Sequence, residues 1–352
     1  MFTLPMPQLE LVPWAGLAIG VVFGVCGQIT GFCLHRGLRE YWSGRAGYKL
    51  HAYALALAVA LAGTHVAASL GLADITKSMY MTPSFSWLLL PVGGLMFGYG
   101  MGLSNGCGAR ALILLGQGNL RSFVVLVCLG ISAYITLTGI AAPLRVLISD
   151  FTTFSPTSIA VPQGLPRSLT VWILVAALTL FALRPRESGQ RATDLTGGAI
   201  IGLLVAAGWL VTGWLGADDF EPTPVASLTF VGPIGDTLHY AMIATGMSLR
   251  FGITVVLGVL VGSFLAAVLR GRYRIEGFES AGQMSRYIAG GALMGAGGAL
   301  ALGCSIGQGL TGLSTLAYSS MVSAFAIVVG ARLAWAGSSG SIMTASPTVQ
   351  ST

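Results

Sequence analysis

Charged residues are scarce in this chain of 352 residues, where Asp, Glu, Lys and Arg together make up 9%. Soluble domains carry roughly 25% charged residues, so this chain has too few to cover a surface that faces water. The shortage excludes an ordinary soluble protein. A nucleic-acid-binding protein is excluded as well, because the basic residues behind the net charge of +6 lie in short loops between apolar segments and form no stripe.

Motifs for metals, nucleotides and paired thiols are also missing. HExxH, Walker and Rossmann patterns do not occur, and acidic residues are too few for ligand clusters, so neither a metal nor a cofactor is expected. The cysteines include no C-x-x-C pair and lie in or beside apolar segments, which predicts free thiols and no disulfide framework. They are Cys26, Cys33, Cys107, Cys128 and Cys304.

Apolar segments dominate the chain, which has 54% hydrophobic residues and a mean hydropathy of +0.80. They predict an all-α integral membrane protein with about nine transmembrane helices. All of the 18 Lys and Arg residues except Lys77, Arg145, Arg167 and Arg250 fall on one predicted side, which the positive-inside rule assigns to the cytoplasm. The N-terminus is therefore expected outside and the C-terminus inside. The predicted spans are 13–34, 52–72, 86–106, 122–142, 169–183, 197–215, 251–269, 287–303 and 317–335.

A glycine-rich motif that ends in cysteine occurs twice. The segment Gly94–Cys107 aligns without a gap on Gly291–Cys304, at an offset of 197 residues. A weaker match sets Thr30-Gly31-Phe32 against Thr212-Gly213-Trp214. The aligned residues of the strong match are Gly94, Gly98, Gly100, Gly106 and Cys107 in the first copy, and Gly291, Gly295, Gly297, Gly303 and Cys304 in the second.

The repeated motif predicts two copies of a four-span unit, at 13–145 and 197–335. An outer loop and a connecting helix occupy 146–196, the segment 1–12 is expected outside, and 336–352 is predicted to be a disordered cytoplasmic tail. Because a single further span separates the two units, the second copy enters the membrane from the opposite side. Inverted-topology repeats of this kind are typical of secondary transporters, which bind their substrates near the midplane.

The Gly-Cys ends of the two motifs form the candidate site. Glycines this dense indicate either close helix packing or a helix that stops inside the membrane. A short helix that starts there directs free N–H groups at an anion, and we expect Ser104 and Asn105 to cap such a helix. Arg110, three residues after Cys107, is interpreted either as an attractor of an anion or as a residue that snorkels to the membrane interface.

The cysteines divide by whether the repeat duplicates them. An intramembrane cysteine is usually a small packing residue, and this interpretation is kept for Cys26 and Cys128. Cys107 and Cys304 occupy the same place in both copies, which favours a role in the site. For Cys33 both interpretations stay open, because Leu215 occupies the matching position.

At these residues the chain resembles the YeeE/YedE family of sulfur-compound transporters. The resemblance covers most of 13–335 and depends on Thr30-Gly31-Phe32-Cys33, Gly106-Cys107-Gly108 and Gly303-Cys304-Ser305-Ile306-Gly307. It implies an hourglass-shaped protein in the bacterial inner membrane, with short membrane-embedded helices, that imports thiosulfate from the periplasm. It also implies that Cys33, Cys107 and Cys304 pass the ion inward by S–H···S contacts, with Gly106, Gly108, Gly303 and Ser305 beside them.

The same cysteines fit other functions. A membrane enzyme for thiol–disulfide exchange or sulfur transfer would form covalent bonds through them, although the missing C-x-x-C pair favours a protein that is not an enzyme. A transporter of another oxyanion, such as a selenium compound, is a further alternative. The expected partners are the thiosulfate ion, the lipid bilayer and, by family association, a cytoplasmic sulfur carrier of the TusA type.

Overall fold

The protein is a bundle of α-helices in which long apolar helices alternate with short ones. The computed structural model describes residues 8–44, 48–155, 167–184, 191–217 and 223–338. Much of the predicted segment 1–12, of the outer loop and of the tail 336–352 lies outside these ranges. The helices are α1 (Gln8–Thr30), α2 (Leu34–Trp42), α3 (Tyr48–Ser69), α4 (Leu89–Leu103), α5 (Gly108–Gly116), α6 (Leu120–Leu137), α7 (Ala142–Thr152), α8 (Arg167–Leu183), α9 (Arg191–Leu210), α10 (Val231–Ile243), α11 (Phe251–Leu269), α12 (Ala281–Leu300) and α13 (Tyr318–Ser338).

Six helical segments of the described chain are long and apolar enough to cross a membrane. This makes the chain a multi-pass, all-α membrane protein. Each of the nine predicted spans coincides with a helix, but α4, α8 and α12 are not among the six. A count of nine crossings is therefore not confirmed. The six segments are Leu11–Trp42, Tyr48–Ser69, Leu120–Leu137, Ala192–Leu215, Phe251–Leu269 and Tyr318–Gly337.

Elements other than α-helices are short in the described part of the chain. Strand β1 (Phe85–Ser86) pairs antiparallel with β2 (Thr153–Phe154), with Phe85 opposite Phe154. A π-helical turn, Val211–Leu215, extends α9, and a second one, Gly307–Gly312, lies between α12 and α13. Turns of the π type occur frequently at functional sites.

Helices from the two halves of the chain pack directly on each other. Helix α1 packs on α11 and α3 on α9, while α4 packs on α12 and α13, and α12 also packs on α6. Glycine permits the close approach: a methyl group at Gly20 would lie 2.9 Å from the Cα of Gly258, and one at Gly297 would lie 2.6 Å from the carbonyl oxygen of Gly93. Such small-residue contacts are the usual way in which membrane helices associate.

The two glycine-rich motifs have the same backbone path. Helices α4 and α12 contain the earlier glycines of each motif and end at Leu103 and Leu300. Two residues later the chain turns through a left-handed conformation, at Asn105 (φ 57°) and at Leu302 (φ 56°). These residues are equivalent at the offset of 197, and a positive φ costs a bulky residue such as leucine roughly 1–2 kcal/mol. Close packing within the helices and a break at their ends therefore both occur in each copy.

The weaker sequence match does not extend to conformation. Thr212-Gly213-Trp214 lies inside the π-helical turn after α9. Thr30 ends α1, and Gly31 has a φ of 63° that turns the chain towards α2. The two segments therefore differ in structure.

Candidate functional site

Two of the candidate cysteines begin short helices. Cys33 is the N-cap of α2 and Cys107 is the N-cap of α5, both with extended backbone, and both side chains are buried. The two thiols lie against each other. The structure thus brings Cys33, which the repeat alone left open, directly to Cys107.

The predicted cap of α5 was wrong. An N-cap residue needs an extended backbone, but Asn105 has a positive φ. The hydroxyl of Ser104 instead donates to the carbonyl oxygen of Gly100 at 2.8 Å. Cys107 therefore takes the N-cap position, where its thiol stands at the start of a helix of nine residues.

The third cysteine lies at the equivalent break in the second copy. The thiol of Cys304 accepts a hydrogen bond from the backbone N–H of Gly307 at 3.2 Å. The side chain is fully buried, and the π-helical turn Gly307–Gly312 follows it directly. Ser305 is buried as well, and its side chain lies against Cys107. The three cysteines therefore belong to one cluster.

A tyrosine that no motif marked connects the halves at this cluster. The hydroxyl of Tyr53, in α3, donates to the carbonyl oxygen of Ser305 at 2.6 Å. Its ring stacks on Phe32, with ring centroids 5.6 Å apart. Tyr53 thus fixes the segment that carries Cys304 to the segment that carries Cys33.

The predicted site glycines lie beside these thiols. A methyl group at Gly106 would meet the side chain of Arg110 at 3.1 Å, and one at Gly108 would meet Ile234 at the same distance. Gly303 has a φ of 156° and faces Gln308. The guanidinium of Arg110 donates to the carbonyl oxygen of Gly27 at 3.5 Å and lies near Cys33 and Cys107, which places it beside the thiols.

The other two cysteines lie apart from this cluster. The thiol of Cys26 donates to the carbonyl oxygen of Gly197 at 3.5 Å, between α1 and α9. Cys128 is half-buried where α6 meets α12, and a methyl group at Gly291 would lie 3.0 Å from its Cβ. Both positions are helix-packing positions.

A cavity of about 830 Å³ borders the cluster. Its wall includes Thr229 and Gly303, next to Cys304. Elsewhere its wall includes Asp236 in α10 and Arg250 at the start of α11. The hydroxyl of Tyr134 donates to the carboxylate of Asp236 at 2.5 Å. Arg250 is exposed and forms neither a hydrogen bond nor an ion pair through its side chain with the described residues.

A buried ion pair near Cys33 also escaped sequence reasoning. The ammonium of Lys49 lies 2.6 Å from the carboxylate of Asp194, with side chains 10% and 6% exposed. Lys49 also donates to the carbonyl oxygen of Thr30, three residues before Cys33. The pair joins the start of α3 to the start of α9 and the end of α1. In sequence the two residues are merely an isolated base and an isolated acid at helix starts.

The cluster presents thiols and a serine hydroxyl beside the guanidinium of Arg110. Within the described ranges, no three His, Cys, Asp or Glu side chains are grouped so as to hold a metal ion. Thiols are weak donors with polarizable sulfur, so they suit a soft partner held by weak contacts.

Long apolar helices around a cavity that borders buried polar groups are typical of membrane transport proteins. Residues 29–333 match the family profile described as sulphur transport, so the chain belongs to that family. It is 25% identical over 340 residues to the thiosulfate transporter TsuA of Escherichia coli (strain K12), covering 90% of this chain and 92% of that protein. It is also 25% identical over 341 residues to the thiosulfate transporter TsuA of Spirochaeta thermophila, covering 92% and 98% of the two chains.

Proposed function

We propose that the protein imports thiosulfate across the cytoplasmic membrane, and that Cys33, Cys107 and Cys304 pass the ion along. The observation that carries the proposal is the grouping of these three buried thiols, with Cys304 next to Thr229 and Gly303 in the wall of the large cavity. Both relatives that cover most of the chain are named thiosulfate transporters. The proposed substrate is taken from the names of these relatives, and the thiol cluster is chemically suited to the sulfur of thiosulfate.

The relay depends on weak contacts at successive stations. Thiosulfate has one terminal sulfur, which a thiol can approach through an S–H···S contact. A pathway conducts when each site binds strongly enough to admit the ion and weakly enough to release it. Cys304 stands next to the cavity, and Cys33 and Cys107 contact each other beyond it. We therefore assign entry to Cys304 and onward transfer to the other two thiols, past Gly106, Gly108, Gly303 and Ser305.

The halves 13–145 and 197–335 are proposed to be inverted repeats around this cluster. The equivalent left-handed residues Asn105 and Leu302 support the proposal, as does the helix pairing. By their order within the two copies, α1 corresponds to α9 and α3 to α11, so the contact of α1 with α11 has its counterpart in that of α3 with α9. The pairing of α4 with α13 likewise has its counterpart in that of α12 with α6.

The direction of transport is proposed from the distribution of charge. The positive-inside rule puts the loop after α1 in the cytoplasm and the loop before α11 in the periplasm. Arg250 and the large cavity then open to the periplasm, and Arg36 and Arg39 in α2 lie on the cytoplasmic side. A cytoplasmic sulfur carrier of the TusA type is proposed to take the sulfur compound onward.

Cysteine variants test the proposal in cells that lack other thiosulfate and sulfate importers. Cys107→Ala and Cys304→Ala are expected to abolish growth on thiosulfate and uptake of ³⁵S-thiosulfate, with normal amounts of protein in the membrane. Cys128→Ala is the matched control and should transport normally, because its thiol lies at a helix contact outside the cluster. Normal uptake by either well-expressed cluster variant would refute the relay.

A further inference from the structure

Two hydroxyl groups stand between the large cavity and Cys304. Thr229 lines the cavity, and Tyr80 is buried behind it with 2% of its surface exposed. Both hydroxyls face Gly307, the residue whose N–H donates to the thiol of Cys304. A methyl group on Gly307 would lie 2.6 Å from the oxygen of Thr229 and 3.3 Å from that of Tyr80. The hydroxyls and the thiol therefore border the same small space.

The position of Tyr80 is fixed, and its hydroxyl lies against the hydroxyl of Thr229. Its ring meets Trp209 edge to face, with centroids 6.3 Å apart. Its carbonyl oxygen accepts a hydrogen bond from Ser319 at 3.0 Å. Because a hydroxyl proton can rotate towards a new acceptor, both hydroxyls can donate to a ligand that enters the space beside Cys304.

Glycine at position 307 keeps the space open. Any side chain there would collide with Thr229, so the residue is small where the hydroxyls converge. The segments that meet come from three parts of the chain: the loop before α4, the approach to α10 and the turn after α12. Their convergence builds a polar pocket beside a thiol.

We propose that Tyr80 and Thr229 donate hydrogen bonds to the oxygen atoms of the anion while its terminal sulfur contacts Cys304. This assignment rests on the proposed function and extends it to the basis of selectivity. The site then recognises both ends of the anion, because the hydroxyls bind its oxygen atoms and the thiol contacts its terminal sulfur. Sulfate lacks the soft sulfur and hydrosulfide lacks the oxygens, so each satisfies half of the site.

Hydroxyl deletions test the assignment through the Michaelis constant. Tyr80→Phe and Thr229→Val are expected to raise the KM for ³⁵S-thiosulfate uptake by at least about tenfold each, the loss expected for a hydrogen bond to a charged acceptor. The maximal rate should change little, because the thiols are intact. Thr229→Ser keeps a hydroxyl and should restore the wild-type KM. The dissociation constant of thiosulfate from purified protein, measured by calorimetry, should rise by the same factor.

The matched control is Tyr48→Phe at the start of α3, which removes a buried hydroxyl that makes no hydrogen bond with the described residues and does not line the cavity. It should leave KM unchanged. An unchanged KM in Tyr80→Phe and Thr229→Val, or an equal rise in Tyr48→Phe, would overturn the assignment. If Tyr80→Phe fails to fold, the Val and Ser variants of Thr229 decide the question. Failure of the proposed function differs from these outcomes, because the unaltered chain would then transport no thiosulfate.

Discussion

Removal of one charge from the Lys49–Asp194 pair should destabilise the protein strongly. Asp194→Asn keeps the shape of the side chain but leaves the ammonium of Lys49 buried without a counter-charge. Loss of one partner from a buried pair costs about 3–5 kcal/mol. Lys49 retains the carbonyl oxygen of Thr30 as an acceptor, so we expect about 3 kcal/mol for this variant. Lys49→Met leaves both the carboxylate of Asp194 and the carbonyl oxygen of Thr30 without their donor, and we expect a loss of stability of about 4–5 kcal/mol.

The assay is the apparent melting temperature of purified protein in detergent, followed by loss of the monodisperse peak in size-exclusion chromatography. The double variant Lys49→Met/Asp194→Leu replaces the pair with apolar groups and should recover most of the stability, because such replacements are often neutral. The two single effects would then be far from additive, as expected for residues in contact. Lys77→Ala is the control, since its ion pair with Asp74 is exposed, with side chains 74% and 50% exposed, and is worth at most about 1 kcal/mol.

A melting temperature of Asp194→Asn equal to that of the wild type would refute this reasoning. It would mean that water or a second acceptor solvates Lys49, so that the pair is not a closed contact. A double variant as unstable as the worse single variant would show instead that helix packing around the pair, and not the stranded charge, determines the cost.

Three further predictions concern packing, the thiol cluster and the driving force. Gly98→Val should prevent folding or lower the free energy of unfolding by about 3 kcal/mol or more, because the valine side chain would overlap the carbonyl oxygen of Ile327. Gly282→Ala is the control: its added methyl group has no atom within 4 Å, so the variant should reach the membrane fraction in normal amounts. Tyr53→Phe should cost about 1–3 kcal/mol and slow ³⁵S-thiosulfate uptake, because the carbonyl of Ser305 loses its donor while the stacking on Phe32 remains; unchanged uptake and melting temperature would contradict this. An inside-negative potential opposes entry of a dianion by about 4.6 kcal/mol per 100 mV. No Asp or Glu that could carry a coupling proton occurs in the predicted spans 52–72, 86–106, 122–142, 251–269 and 287–303. Proteoliposomes without an internal acceptor should therefore only equilibrate thiosulfate, and accumulation that a protonophore abolishes would show proton coupling instead.

Sequence reasoning located the breaks in the membrane helices because glycine spacing is a local signal. The repeated motif indicated Cys107 and Cys304 directly, and the family resemblance added Cys33. Tyr53 and Tyr80 remained undetected, because each is an aromatic residue in or beside an apolar span, and most such residues only pack against neighbouring helices. Their roles depend on which loop of the other half they meet, and that depends on the three-dimensional pairing of helices.

The wrong cap at Asn105 has a related cause. Ser and Asn before a helix are good capping residues in general, and the sequence of the motif gives no indication that Asn105 turns left-handed. Comparison with Leu302 would have been informative, because a leucine at the equivalent position cannot cap a helix. Conformation shared between the repeats is thus a better guide than residue type in one of them.

The interleaved packing of the halves has a consequence for biogenesis. The face of α1 that carries Gly16, Gly20 and Gly24 has its partner in α11, which starts at Phe251. Ribosomes add about 5–20 residues per second, so α1 has left the ribosome for roughly 10–50 s before its partner is complete. During this interval the glycine face of α1 contacts lipid or an insertase instead of α11. Premature termination before α11 therefore leaves α1 without its packing partner, and the two halves cannot mature independently of each other.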